Sequence, residues 1–334
     1  MVITLQCLAD RTLLLDIETS GLHRQRDVII SIGVLFLDAQ KQPTIKHWFL
    51  ETKEEEKNIL ESFLLFLSGY ETIYTYNGKG FDYPFLISRM QHYEIDITSF
   101  LSLKLIDIKE VLKYFTRNRK VIESMLSFKR KSNTEGKEII KLYRTYLACQ
   151  DPIYANLIFK HQEDELHSLL AFHELYDTLF NHSNWKYVEH KKGLDALEIT
   201  LKRPFPFTYT FNGVAFDIHF SYAQGSNLFL LTLPLINDSL KHYLEPAKDY
   251  YYIESQGQLM HKSLAQFIPA SLRRRATKEE CSVNRHSTYV KIYTTYKLST
   301  RLWYDASKAM YIDLEDFSPD ILATQLFYLF FQKH

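Results

Sequence analysis

The segment Leu13–Leu22, LLLDIETSGL, constrains the fold and the chemistry of this chain more than any other stretch. Three leucines lead directly into two acids, and Thr-Ser-Gly then ends the apolar run, a pattern typical of a buried strand that stops at a polar edge. Side chains alternate along a strand, so Asp16 and Glu18 are expected on one face. Because neighbouring carboxylates repel each other, the pair predicts either a divalent-metal site or two solvated acids at a strand end.

Composition and charge limit the class of protein. The 334 residues suffice for one large domain or, as we expect, two, and 46% hydrophobic with 24% charged residues excludes a wholly disordered chain. A formal net charge of zero means that any nucleic-acid-binding surface must be local. Cys7, Cys149 and Cys281 lack the spacing of zinc sites or disulfide frameworks. With no signal-peptide pattern and no membrane-spanning apolar run, we expect a cytoplasmic protein without membrane contact.

The spacing of apolar residues predicts alternating strands and helices over the first half of the chain. Strands are expected at 27–37, 43–50, 71–76 and 103–108, and helices at 54–67, from 81 onward, at 136–149 and at 151–180. From about Trp185 the pattern changes to alternating aromatic and polar residues. We therefore expect an α/β domain over residues 1–182, followed by a smaller β-rich (α+β) C-terminal domain over residues 185–334.

A second polar edge is predicted in Tyr76–Leu86, YNGKGFDYPFL, which follows a short strand. Its glycines suit a tight turn, and Asp82 then falls in the first turn of a helix. Carboxylates at such helix N-termini lie at the edge where α/β sheets place ligands, so we expect Asp82 to join the first two acids. Asn77 and the backbone at Gly78 are suited to hold a substrate; alternatively, Asn77 only forms the turn and Asp82 is an ordinary first-turn acid.

A third group of candidates lies on the long helix expected at 151–180. His161 and Glu165 are four residues apart and share one stripe beside the apolar face, whereas Asp164 is expected to lean toward solvent. A histidine beside a metal-binding carboxylate is the arrangement expected of a general base that deprotonates water. The alternative is a cluster of helix charges without a catalytic role.

Two further polar features leave alternatives open. Asp107 ends the strand expected at 103–108 and either points to the same edge or is an ordinary acid at a strand end. Residues 116–136 are polar and basic, which suits either a surface that follows phosphates or a solvated connection.

Together and in this order, these segments resemble the DEDD-type 3′-to-5′ exonucleases of the ribonuclease H-like superfamily. LLLDIETSGL is similar to the first exonuclease motif with its D-x-E pair, and TYNGKGFDYPFL is similar to the second, in which N-x-x-x-F-D supplies a third carboxylate. GKEIIKLYRTY, followed by a long helix with H-x-x-x-[D/E], resembles the bacterial YprB-like ribonuclease H-like proteins. The likeness covers roughly the first 180 residues. It implies a ribonuclease H-like mixed sheet flanked by helices.

The third motif departs from the family pattern, which has a tyrosine or histidine four positions before an aspartate. Aligning the leucines that follow puts Glu165 at the aspartate position and His161 at the base position, whereas aligning Asp164 puts Lys160 at the base position. We prefer Glu165 on helix geometry and keep Asp164 as the alternative. The glutamate side chain is one carbon longer, about 1.5 Å, which alters the expected metal geometry.

The resemblance implies a metal-dependent nuclease, a 3′-to-5′ exonuclease that hydrolyses DNA or RNA phosphodiesters to nucleoside monophosphates with two Mg²⁺ or Mn²⁺ ions. The implied metal ligands are Asp16, Glu18, Asp82 and Glu165, with Asp164 as the alternative to Glu165. His161 is implied as the base. The single-stranded 3′ end of the nucleic acid would be held at Thr19, Asn77, Gly78 and Phe81. The rival hypothesis is a catalytically weak or inactive nuclease fold that binds nucleic acid or a protein partner.

The second half carries a strong hairpin signal. FTYTF and VAFDIHF flank Asn212 and Gly213, which suit a type I′ turn, a further strand is expected at 228–235, and a helix at Ile321–Phe331. Four basic residues of this half lie close together, Arg273, Arg274, Arg275 and Lys278, and residues 287–304 interleave basic side chains with rings. Both stretches suit nucleic-acid binding, or else a solvated basic loop and a strand with one buried aromatic face.

Overall fold

A computed structural model describes residues 8–180, 185–293 and 301–316. The chain divides into two compact units: the first comprises Met1–Asn184, Arg203–Ala215 and Phe220–Phe229, and the second comprises Trp185–Lys202, Phe216–His219 and Leu230–His334. Within the described ranges, no helix is both long and apolar enough to cross a membrane. Cys7 and the helix expected at Ile321–Phe331 lie outside the described residues.

A five-stranded mixed sheet forms the centre of the first unit. Its strands are β1 Thr12–Thr19, β2 Ile29–Leu37, β3 Pro43–Phe49, β4 Thr72–Thr75 and β5 Lys104–Asp107. In the order β3-β2-β1-β4-β5, the strand β1 pairs antiparallel with β2 and parallel with β4, so it lies at the centre of the sheet. The expected mixed sheet is thereby confirmed.

Helices cover both faces of this sheet. They are α1 Glu56–Leu67, α2 Asp82–His92, α3 Thr98–Leu101, α4 Lys109–Leu112, α5 Arg119–Met125, α6 Gly136–Cys149 and α7 Pro152–Phe180. Leu13 and Leu15 of β1 belong to one apolar cluster with Phe63 of α1. The alternate side chains of β1, among them Asp16 and Glu18, therefore face the opposite helix layer, where α7 crosses the sheet.

The second unit is built mainly from strands. Among the described residues, the strands and α-helices that follow α7 are β6 Lys186–Lys192, β7 Ala196–Lys202, β8 Phe211–Ala215, β9 Ile218–Tyr222, β10 Leu228–Tyr243, β11 Tyr250–Ile253, β12 Gln258–His261, α8 Lys262–Ala265, β13 Arg273–Arg275, β14 Ser282–Ile292, β15 Leu302–Tyr304 and β16 Met310–Asp313. Of these, β8 belongs to the first unit, and β9 and β10 each have residues in both units. One sheet runs in the order β14-β16-β15-β10-β7-β6, and a smaller one in the order β12-β11-β13. The expected β-rich region after the first sheet is confirmed.

The hairpin turn expected at Asn212 and Gly213 is wrong in position. Both residues lie inside β8, and the turn to β9 is formed by Phe216 and Asp217, whose φ angles are 53° and 62°. These two left-handed residues supply what a tight hairpin turn requires. Gly213 is needed instead for packing, because a Cβ at that position would lie 2.7 Å from Cζ of Phe211.

The basic stretch of the second unit is a strand rather than a loop. The arginines form β13, Arg273–Arg275, which pairs with the tyrosine-rich strand β11. The guanidinium of Arg274 lies over a tyrosine ring of β11 and forms an ion pair of 2.6 Å with Glu280. In the aromatic stretch 287–304, Tyr289 is fully buried, so at least this ring belongs to the core, while residues 294–300 lie outside the described ranges.

Candidate active site

The strand β1 and the helix α7 bring the first two acids together with polar side chains of the helix. Gln162 Nε2 donates a hydrogen bond of 3.0 Å to the backbone carbonyl of Asp16 and lies 3.5 Å from its Oδ2. His161 Nε2 lies 3.4 Å from Glu18 Oε1. The alternation of side chains along β1 thus places both acids on the face that α7 covers.

Asp82, the first residue of α2, lies at the same edge of the sheet. Only 7% of its surface is exposed, and its Oδ1 accepts a hydrogen bond of 3.1 Å from the backbone N–H of Ile17. Burial raises the pKa of Asp82 to about 7. Burial also raises the pKa values of Asp16 and Glu18 well above their usual range, and for Asp16 the negative charges of Glu165 and Asp82 act in the same direction. Three acidic side chains, Asp16, Glu18 and Asp82, therefore lie close together at this edge of the sheet.

His161 is held as a neutral proton acceptor. Its Nδ1 lies 2.8 Å from the backbone carbonyl of Thr134, and a carbonyl only accepts, so Nδ1 carries the ring hydrogen. The other nitrogen, Nε2, then has a free lone pair and lies 3.4 Å from Glu18 and 3.7 Å from Glu165. Burial lowers the pKa of His161 below its usual value, which keeps the ring neutral at pH 7.

Glu165 shares this edge, but its carboxylate is already paired. Arg119 Nη2 lies 2.5 Å from Glu165 Oε2, and Arg130 Nη1 lies 2.5 Å from Oε1. Burial acts to raise the pKa of Glu165, but the two guanidiniums outweigh it and the pKa is lowered. The carboxylate of Glu165 is therefore ionised and compensated, unlike that of Asp82.

A second buried acid, Glu123 on α5, accepts hydrogen bonds from the same two arginines. Its Oε1 accepts hydrogen bonds from Arg130 at 2.6 Å, from Ser168 at 2.8 Å and from Arg119 at 3.3 Å. The stretch 116–136 is thus neither a phosphate-following surface nor a solvated connection at these positions. The sequence contained one signal of this network, the spacing of Arg119 and Glu123 by four residues on one helix.

Asp164 points away from the crowded acids. Its Oδ2 accepts hydrogen bonds from the backbone N–H groups of Lys131 at 2.9 Å and Ser132 at 2.6 Å, and only 2% of the residue is exposed. The expectation that Asp164 leans toward solvent is therefore wrong, because the loop before α6 covers it. Asp164 fixes that loop to α7.

Asp107 fixes the loop that carries the second motif. Its Oδ1 accepts a hydrogen bond of 2.7 Å from the backbone N–H of Asn77, and its Oδ2 accepts one of 3.1 Å from that of Lys79. Asn77 is left-handed, with a φ of 69°, and Lys109 Nζ donates to its Oδ1 at 2.9 Å. A Cβ at Gly78 would lie 2.3 Å from Oγ1 of Thr75, so only glycine fits against β4.

The other substrate-binding candidates lie near the same edge. The hydroxyl of Thr19, at the end of β1, donates a hydrogen bond of 2.7 Å to the carbonyl of Gly21, and Thr19 is buried. Phe81 is partly exposed immediately before α2, and its ring centroid lies 5.6 Å from that of Phe85. Phe81 is thus partly exposed next to Asp82 and also packs against the apolar cluster below the sheet edge.

Gln162 is a buried support that sequence reasoning missed. Its Oε1 accepts a hydrogen bond of 2.7 Å from Ser31 Oγ and lies 2.9 Å from His47 Nδ1, while its Nε2 holds Asp16. Gly33 of β2 makes room for it, since a Cβ there would lie 2.5 Å from Cδ of Gln162. No local pattern identifies this role, because every partner comes from another element.

The side chains as they stand do not form a closed metal cage. Within the parts of the chain that the structure describes, no three His, Cys, Asp or Glu side chains converge into a group that could hold a metal ion. Asp82 is turned toward Ile17, and Glu165 is turned toward the guanidiniums. Asp16, Glu18 and Asp82 nevertheless supply the hard oxygen donors that Mg²⁺ and Mn²⁺ prefer, and they lie close together without a lysine or arginine ion pair among the described residues, so their chemistry fits such an ion.

Comparison with known proteins identifies related sequences. A family model described as the RNase_H superfamily matches residues 13–180. A DNA polymerase of Methanocaldococcus jannaschii is 41% identical over 76 residues, which is 22% of this chain and 5% of the polymerase. The chain therefore spans only a small part of that relative.

Solved structures align at low identity. The family B DNA polymerase from Pyrobaculum calidifontis aligns over 96% of this chain and 42% of its own, with 10% identity and a TM-score of 0.44. The zinc-bound E. coli exonuclease I in complex with single-stranded DNA aligns over 59% of this chain and 55% of its own, with 11% identity and a TM-score of 0.30. In both cases the chain spans less than two thirds of the aligned protein.

Proposed function

Because this chain belongs to the RNase_H superfamily, we propose that it is a divalent-metal-dependent nuclease that hydrolyses nucleic-acid phosphodiesters, as a 3′-to-5′ exonuclease. The observation that carries this proposal is the gathering of Asp16, Glu18 and Asp82 beside the neutral ring of His161 at one sheet edge. Such a set combines oxygen donors for a cation with a base for water. The narrower likeness to YprB-like proteins stays a prediction.

Asp16, Glu18 and Asp82 would hold the cation. When bound, a divalent ion supplies Lewis-acid stabilisation of the charge that builds up on the phosphate. Gln162, fixed by Ser31, keeps the strand end and the Asp16 carboxylate in place.

His161 would take the proton of the attacking water at Nε2. The hydrogen bond from Nδ1 to Thr134 fixes the ring, and Glu18 and Glu165 stabilise the imidazolium that forms. A bond from the water oxygen to phosphorus forms, and the bond from phosphorus to the 3′ oxygen of the neighbouring nucleotide breaks, so that this oxygen leaves with the electron pair and takes a proton from solvent. The product is a nucleoside monophosphate.

The substrate in this proposal is a single-stranded 3′ end of DNA or RNA. Phe81, which is partly exposed, would stack against the terminal base, and the backbone at Thr19 and Gly78 would contact it. Asn77 would contribute through the fixed, left-handed loop on which it lies. We assign this activity to a domain of residues 1–182, with residues 185–334 as a second domain, and a cytoplasmic location stays a prediction.

The test uses 5′-labelled single-stranded DNA and RNA incubated with the full chain and Mg²⁺ or Mn²⁺. We expect shortening from the 3′ end with release of nucleoside monophosphates, and no shortening with Asp16→Asn or with EDTA. Cutting of a circular single strand would show an endonuclease instead, because a circle has no 3′ end.

A second candidate function is a nuclease fold that binds nucleic acid without cutting it. The pairing of Glu165 with two guanidiniums favours it, since a carboxylate expected to bind metal is occupied. In the same experiment, retention of the labelled strand without any shortening would support this alternative and contradict the exonuclease.

A further inference from the structure

Both carboxylate oxygens of Glu165 are occupied by cations that belong to the protein. Arg119 takes Oε2 and Arg130 takes Oε1, each at 2.5 Å, and the side chain of Glu165 is only 14% exposed. Charge-assisted contacts of this length are among the strongest hydrogen bonds that side chains form. A metal ion approaching Glu165 would have to displace a guanidinium or share the carboxylate with it.

The guanidiniums are themselves fixed in place. Glu123 accepts hydrogen bonds from Arg130 Nη2 at 2.6 Å and Nε at 3.1 Å, and from Arg119 Nε at 3.3 Å. The guanidinium of Arg119 also lies 4.9 Å from the ring centroid of Tyr76. Two acids and two arginines thus form a charge-balanced network, and removing one member leaves the others unpaired in a partly buried position.

Within the described ranges, the other side of the edge has no such short-range pairing, and the charge of Arg119 lowers the pKa values of Asp16, Glu18 and Asp82 by less than burial raises them. Among the residues that the structure describes, no lysine or arginine forms an ion pair with Asp16, Glu18 or Asp82. A cation is therefore attracted to these three acids and is repelled by the two guanidiniums at Glu165.

We propose that this site binds one divalent cation, on Asp16, Glu18 and Asp82, and that Arg119 and Arg130 provide at Glu165 the positive charge that a second ion would provide. This inference rests on the proposed metal-dependent nuclease and replaces the two ions implied by the sequence. Glu165, Arg119 and Arg130 are then positioning residues. They hold one wall of the site, and Glu165, whose Oε1 lies 3.7 Å from His161 Nε2, stabilises the charge of the His161 ring after it takes a proton.

The first experiment counts ions directly. Mn²⁺ is titrated into the metal-free full chain, and bound and free Mn²⁺ are separated by electron paramagnetic resonance. We expect one bound ion per chain, and two bound ions would overturn the proposal. Glu165→Gln is expected to keep one ion with less than about a threefold change in Kd, whereas Asp16→Asn is expected to weaken binding at least about tenfold. Loss of the ion in Glu165→Gln would show that Glu165 is a ligand and would also overturn the proposal.

The second experiment removes one of the two ion pairs of Glu165. Arg130→Gln removes the cation from Oε1 and is expected to admit a second, weaker Mn²⁺ ion. Arg117→Gln is the matched control, because Arg117 is exposed two residues before Arg119, and its stoichiometry should stay at one. A folded Arg130→Gln chain that still binds a single ion would contradict the exclusion of a second ion by the guanidinium. If this variant does not fold, the counts for the unsubstituted chain and for Glu165→Gln decide.

The number of bound ions and the release of nucleotides test the further inference and the proposed function separately. One bound Mn²⁺ without release of nucleotides would support this inference and contradict the proposed function. Two bound ions with release of nucleotides would support the proposed function and contradict this inference. A chain that binds no Mn²⁺ would overturn both the single-ion site and the metal dependence.

Discussion

The two sides of the acidic edge differ in how their charges are compensated. On one side, burial raises the pKa values of Asp16, Glu18 and Asp82 more than the charge of Arg119 lowers them, and none of the three forms an ion pair with a lysine or arginine among the described residues. On the other, Glu165 and Glu123 also experience burial, but hydrogen bonds and charges from arginines outweigh it and lower their pKa values. Buried acids at the same edge thus have pKa values that are shifted in opposite directions.

This difference distinguishes the acids that we expect to bind a ligand from the acids that hold the structure of the site. Burying a carboxylate without a partner costs free energy, and such sites are found where a ligand or a reaction needs the charge. Burying a carboxylate with its arginine makes a rigid wall, and removing either member is destabilising. The side without arginines is therefore where we expect a cation and substrate to bind, and the paired side is where we expect the wall of the site to be held.

The largest effect should be on hydrolysis. Asp16→Asn removes a proposed metal ligand and is expected to lower kcat/KM by at least about 10³-fold, whereas Glu165→Gln should lower it by only about 10-fold. Both values are measured as release of mononucleotides under saturating Mg²⁺, with circular dichroism to check that each variant is folded. Equal losses in the two variants would mean that the two sides of the edge are not functionally distinct.

A smaller effect is expected on stability. Glu123→Gln leaves two guanidiniums with one fewer acid in a partly buried network and should lower the free energy of unfolding by about 3 kcal/mol. Glu61→Gln, which removes an exposed ion pair with Lys57, is the matched control and should change it by less than about 0.5 kcal/mol. Urea denaturation measures both, and a Glu123→Gln value as small as the control would contradict the structural role of the network.

The smallest effect concerns pH. The folded-state pKa of Asp82 is raised to about 7, above the usual value of 3.8, so folding is favoured by the bound proton at low pH and this contribution is lost as pH rises through 7. Asp82→Asn imitates the protonated form. The contribution is lost from about pH 4, where Asp82 ionises in the unfolded chain, up to pH 7, so in EDTA the Tm of Asp82→Asn relative to that of the unsubstituted chain should rise by about 4 °C between pH 5 and pH 8.

Scanning fluorimetry across this pH range tests the expectation for Asp82. Addition of Mg²⁺ at pH 8 should raise the Tm of the unsubstituted chain more than that of Asp82→Asn, because only the former has the full set of acids. If Asp82→Asn is destabilised by the same amount at pH 5 and pH 8, the charge of Asp82 does not oppose folding.

Local sequence patterns predicted the strands and the common edge of the first three acids, whereas the mixed sheet was implied by the family resemblance. Asp16 and Glu18 share a face because side chains alternate along a strand, and Asp82 follows a glycine turn that brings a helix N-terminus to the sheet edge. The prediction of a turn at Asn212 and Gly213 was wrong because Gly213 is required for packing against the ring of Phe211 inside β8 and does not form a turn.

What only the tertiary structure decided is which acids are compensated. Arg130 reaches Glu165 across 35 positions, Gln162 reaches Asp16 across 146, and Asp164 is covered by a loop 33 positions earlier. A hydrophobic period is a property of neighbouring residues and can be predicted from the sequence. The electrostatic state of an acid depends on every charge and dipole within a few ångströms, and the fold alone determines which distant residues come that close.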